Sequence, residues 1–140
     1  MIAVVGASLN VMDTGSDAAR RVAFAEAAKR REAEAAQMLV DDFVTQAQAK
    51  GLPAAPLRAQ LTGGGTARTD KAGWCINAAG TLAVGTDGAW YRLVVQGGLA
   101  ERLRGVRLVP SPPALTVLAG GRDGESGDLR DFLARRLAEG

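Results

Sequence analysis

Apolar residues recur at Ala36, Leu39, Val40, Phe43, Val44 and Ala47, the three- and four-residue spacing of one helix face. Residues 17–50 hold no proline or glycine and are rich in Ala, Glu, Arg and Gln, so they predict one long helix. Ser16 or Asp17 suits its N-cap, and Gly51 followed by Pro53 suits its end. Followed upstream, the stripe passes through Lys29 before reaching Ala25, Val22 and Ala18. Such a helix is about 50 Å long, more than a small domain covers. Its second half is therefore expected to dock on a core, and its first half to project, bend or meet a partner. Residues 1–16 fit neither period and predict an irregular extension, with Ile2–Val5 as a short candidate strand.

Residues 51–68 read as a connector, framed by Pro53 and Pro56 and broken by Gly63-Gly64-Gly65. From residue 69 onward the pattern turns to strands. Asp87-Gly88 suits a two-residue type I′ hairpin, which would set Gly85 opposite Trp90 and Val84 opposite Tyr91. Leu82, Val84, Tyr91 and Leu93 would then face the core, and Ala83, Gly85, Trp90 and Arg92 the other side. Gly73–Ile76, Leu103–Val109 and Ala114–Leu118 read as further strands. Leu129, Phe132, Leu133 and Leu137 mark a terminal helix over 127–138, with Ser126 as its cap and Asp128 in its first turn. The expected fold class is α+β: a long N-terminal helix, an antiparallel sheet of about four to five strands, and a C-terminal helix. Residues 69–140 are expected to form one domain with residues 36–50.

Composition narrows the chemistry. The 140 residues fit one domain and include no histidine and one cysteine. Without histidine, serine and cysteine triads and most transition-metal sites drop out. One cysteine allows no intramolecular disulfide, and no run reaches the ~20 apolar residues that span a bilayer. The apolar start, Met1 to Val5, is too short for a signal sequence, so a cytoplasmic protein is expected. Net charge is +2 and the pI about 9.1, mildly basic. Lys29, Lys50 and Lys71 are the only lysines among 17 basic residues, so arginine dominates. Arginine prefers planar, bidentate partners such as carboxylate and phosphate. The Ala, Gly and Arg bias also fits GC-rich coding, whether of a genome or of a phage or mobile element within one.

The most suggestive constellation is Trp90 with Arg92, Arg102, Arg104 and Arg107 on or beside the sheet, where arginine can hold phosphate and an aromatic can stack a base. A second lies at the entry to the last helix, where Asp123, Glu125 and Asp128 could gather around a cation and Arg122 could face an anion. The spacing does not match an EF-hand, and a glycine-rich turn entering a helix accounts for the same residues. Cys75, between Trp74 and Ile76, reads as a packed structural thiol. No cofactor and no metal is expected. The function expected is a non-enzymatic binding or assembly module, acting through the N-terminal helix and the arginine-bearing sheet face on a protein partner or on itself. The alternatives are a weak nucleic-acid-binding accessory protein and a carboxylate-dependent metal-binding or enzymatic domain.

Overall fold

The computed structural model describes residues 2–118 and 126–139, with side chains over 16–117 and 127–139. Helix α1 runs from Ile2 to Lys50, about 75 Å. Residues 1–16 had been expected to be irregular, but α1 takes in all of them from Ile2. Gly, Asn and Asp weaken a helix there without removing a backbone donor, and the first proline is Pro53. The helix ends as expected. Gly51, at φ 71°, donates to Gln48 O (3.1 Å) and Leu52 donates to Ala47 O (2.8 Å), the paired bonds of a Schellman cap.

The sheet has five strands: β1 (Ala55–Leu61), β2 (Thr66–Cys75), β3 (Leu82–Gly85), β4 (Trp90–Arg92) and β5 (Val94–Val95). Their order is β4-β3-β2-β1-β5, antiparallel except for the β1–β5 pair. The fold is therefore α+β, as the sequence implied. Strand β1 occupies the stretch read as a connector, and Gly63-Gly64-Gly65 lies between β1 and β2. The alternation in Leu57-Arg58-Ala59-Gln60-Leu61 outweighs its flanking prolines, because Leu57, Ala59 and Leu61 are all buried. Leu93 closes the sheet on itself. Its N–H donates to Thr81 O (2.8 Å) ahead of β3, and its carbonyl accepts from Gln60 N (2.7 Å) on β1.

The β3–β4 hairpin is slipped by one residue from the expected register, pairing Val84 with Trp90 and Ala83 with Tyr91. Gly88 donates to Gly85 O (2.9 Å) and Gly85 to Ala89 O (2.9 Å), so the loop holds three residues. Gly88 lies at φ 80°, while among the described residues none other than glycine has a positive φ. Asp87 thus escapes the left-handed backbone that type I′ demands, and a type I turn with a glycine bulge takes its place. A one-residue slip turns every side chain to the opposite face. Trp90 accordingly joins Leu82 and Val84, and Tyr91 joins Ala83 and Leu93.

Both sheet faces are covered. On one, Ala36, Val40, Phe43 and Ala47 of α1 meet Trp74, Val84 and Trp90, together with Leu129, Phe132 and Leu133 of α3 (Leu129–Glu139). Phe43 sets its ring edge-on to Trp74, centroids 5.7 Å apart. On the other, Leu57, Ala83, Tyr91, Leu93 and Leu108 form a second cluster. Residues read as the strand Leu103–Val109 begin instead in a short helix, α2 (Leu99–Arg104). Strong helix formers fill it, and Glu101 reaches back to accept the Gly98 N–H (2.9 Å). Ser126, expected as the cap of α3, and Asp128, expected in its first turn, both precede that helix. They lie in β7 (Ser126–Asp128), which pairs with β6 (Thr116–Leu118), and α3 starts one residue later with Leu129 donating to Leu115 O (2.8 Å).

Candidate functional site

The expected arginine constellation divides. Trp90 is only 4 % exposed and packs in the core, so no base can stack on it. Arg92 is exposed on β4, opposite Leu82. Arg104 and Arg107 do come together. They line an open cleft of about 660 Å³ with Arg68, Thr69 and Asp70 on one wall and Glu101, Gly105 and Val106 on the other. Backbone pairing holds the walls in register: Val106 N donates to Arg68 O (2.8 Å), and Thr69 and Val106 form a parallel bridge.

More guanidinium groups adjoin this cleft. Arg102 lies against Gly65, where an added β-carbon would sit 2.9 Å from Nε. Beside Gly65, Thr66 Oγ1 accepts from Arg58 Nη2 (3.0 Å). Arg58 in turn stands directly opposite Arg68 across β1 and β2. Arg58, Arg68, Arg102, Arg104 and Arg107 thus form a connected arc. Arg58 and Arg68 escaped notice in the sequence because they fall in the supposed connector. Their alternation with buried Leu57, Ala59 and Ala67 is the signal that places them on a strand face.

The arc's two carboxylates are committed to backbone. Asp70 Oδ1 accepts from Leu108 N (2.9 Å), and that bond holds its carboxyl below the usual range against a desolvation that raises it, with Lys71 and Arg107 helping. Glu101 Oε1 takes the Gly98 N–H, leaving Oε2 4.0 Å from Arg104.

The other perturbed groups are structural. Burial pushes the Tyr91 phenol well above its ordinary value, and the Asp87 carboxylate adds to the rise. Tyr91 Oη donates to Asp87 Oδ2 (2.6 Å), and Ala89 N donates to Oδ1 (3.0 Å). Burial raises the Asp87 carboxyl, but those two hydrogen bonds and the Lys71 charge outweigh it and leave it lowered. Cys75 is exposed rather than packed. Partial desolvation nevertheless raises its thiol, with Arg136 pulling the other way, so it is a poor nucleophile.

Arg122, Asp123 and Glu125 lie outside the described residues. Asp128 sits on β7 opposite Thr116. Among the described residues no three His, Cys, Asp or Glu side chains gather in a way that could hold a metal ion, and no helix is long and apolar enough to cross a membrane.

The second candidate surface is α1 itself. From residue 16 on, its buried residues begin at Ala36. Glu32 Oε1 accepts from Leu115 N (3.3 Å), and upstream of that contact residues 16–31 are exposed except for half-buried Ala27. Val22 is 57 % and Phe24 68 % exposed. Residues 16–31 therefore project, one of the outcomes the helix length allowed. No family model, curated protein or solved structure matches this chain.

Proposed function

We propose that the chain is a non-enzymatic assembly module whose globular part anchors α1 and whose projecting arm packs with the arms of other copies. One observation carries this reading: a long, well-formed helix leaves the core near Glu32 and carries Val22 and Phe24 into solvent. An isolated helical segment gains little stability from propensity alone, and packing supplies most of it. Val22 and Phe24 are two residues apart, hence about 200° around the helix, on opposite sides of the arm. An arm apolar on both sides is satisfied by neighbours on both, which favours a bundle of several chains over a simple pair. The titratable groups with perturbed acidity support a non-catalytic role, since Asp70, Asp87 and Tyr91 are all engaged in holding the fold.

Light scattering on the full chain tests this. The expected mass is a multiple of 14.4 kDa that falls on dilution, and Val22→Glu or Phe24→Glu lowers it while the circular dichroism of the globular part persists. A monomeric mass at every concentration would refute self-assembly.

A further inference from the structure

We infer that the arginine arc binds the phosphodiester backbone of nucleic acid without reading its sequence. Five guanidinium groups, those of Arg58, Arg68, Arg102, Arg104 and Arg107, share this surface with two carboxylates. Arg104 has Glu101 as an ion-pair partner, at 4.0 Å and largely in water, and Arg107 feels the Asp70 charge. Arg107 donates no hydrogen bond to any described residue. Arg58 and Arg68 stand directly opposite each other, an arrangement that costs stability in an isolated sheet and is relieved by an anion between or above them. Asp70 and Glu101 are turned to backbone N–H groups, so they neutralise the guanidinium groups only partly.

The chemistry of the arc favours phosphate over other anions. Guanidinium forks match phosphate oxygens two at a time, and a run of them matches a repeating polyanion better than one carboxylate. The absence of an exposed aromatic here limits what can be read. Both tryptophans and Tyr91 are buried, as are Phe43 and Phe132, which leaves Phe24 on the distant arm as the only exposed aromatic of six. Base stacking is thus unavailable to the arc, and binding rests on charge. This inference stands apart from assembly through α1, because none of its arginines lies on that helix.

The test is fluorescence anisotropy of the full chain with labelled duplex DNA of two unrelated sequences, over a salt series. Equal affinity for both is expected, with a log–log salt slope of about −3.5 to −4.5 from four or five phosphate contacts. Arg68→Gln, Arg104→Gln and Arg107→Gln together should weaken binding at least ~10-fold at low salt and flatten the slope by about 2 to 3 units. Arg20→Gln, Arg21→Gln and Arg30→Gln on the arm change net charge equally and should leave the slope unchanged. Equal losses from both triple variants would overturn the inference, since net charge alone would then account for binding. So would an absence of DNA binding at low salt, or arginine-dependent binding to phosphatidylserine vesicles in its place.

Discussion

The two phenylalanines of α1 offer a controlled comparison of its docked and projecting halves. Phe43 is 1 % exposed, enclosed by the main core and set edge-on to Trp74. Phe24 is 68 % exposed on the same helix. Truncation to alanine removes the same atoms from both. At Phe43 the lost burial, the cavity and the broken ring pair together cost about 3–5 kcal/mol. At Phe24 little burial is lost and alanine is the better helix former, so the change lies within about 0.5 kcal/mol of zero. Urea denaturation followed by tryptophan fluorescence reads both, because Trp74 and Trp90 are buried in the core that Phe43 completes. The measurement belongs at low protein concentration, where assembly does not add to stability. Equal costs for the two variants would refute the division of α1 into a docked and a free half.

The hairpin and the Asp87–Tyr91 pair give sharper tests of local geometry. Gly88→Val should cost about 1–2 kcal/mol, since φ 80° strains a branched residue although an added β-carbon would meet only Asp41 Oδ1, at 3.5 Å. Asp87→Gly separates the two turn types: it would stabilise type I′, but here it should destabilise, because Asp87 has no positive φ to relieve and loses its bonds to Ala89 and Tyr91. With its folded pKa lowered, Asp87 stabilises the fold above the ordinary carboxylate value of ~4, and this is lost as pH falls through the folded value. Asp87→Asn should therefore flatten the acid limb of a stability–pH curve. With its pKa raised, Tyr91 contributes stability fully present below ~10 and lost as pH climbs toward the folded value. As it is the only tyrosine, tyrosinate absorbance should appear only with alkaline unfolding.

Elements with a strong period were legible in the sequence, and single-residue geometry was not. The stripe Ala36, Val40, Phe43 and Ala47 located the docked half of α1, and Leu129, Phe132 and Leu133 located α3, because burial enforces a helical period. The mismatch between helix length and domain size implied that the first half would project, bend or meet a partner. The hairpin register failed on one torsion: Asp-Gly was assigned two left-handed residues where only Gly88 is left-handed. That slip exchanged Trp90 with Tyr91 and removed the aromatic from the expected binding face. It could not be read from alternation, because a sheet covered on both faces buries Ala83, Val84, Trp90 and Tyr91 alike. The arc was half visible for a related reason. Arg102, Arg104 and Arg107 are neighbours in sequence, whereas Arg68 joins them through the backbone pairing of β2 with Val106, and Arg58 through the β1–β2 pairing.

Assembly and backbone binding together imply a result that neither implies alone. Five guanidinium groups in water make a weak site, since each phosphate contact is screened by salt and opposed by Asp70 and Glu101. Joining several copies through α1 would place several arcs on one particle. Once one arc is bound, the others meet the same strand at an effective concentration set by the arm, and affinity rises by about 10²–10⁴-fold when the geometry allows simultaneous contact. A long duplex should then bind far more tightly than one spanning a single arc. Phe24→Glu, which touches no arginine of the arc, should abolish that length dependence and leave affinity for the short duplex unchanged. If Phe24→Glu weakens both duplexes equally, the arm itself contacts DNA. If it weakens neither, while light scattering shows the assembly dispersed, the arcs act singly and the coupling fails.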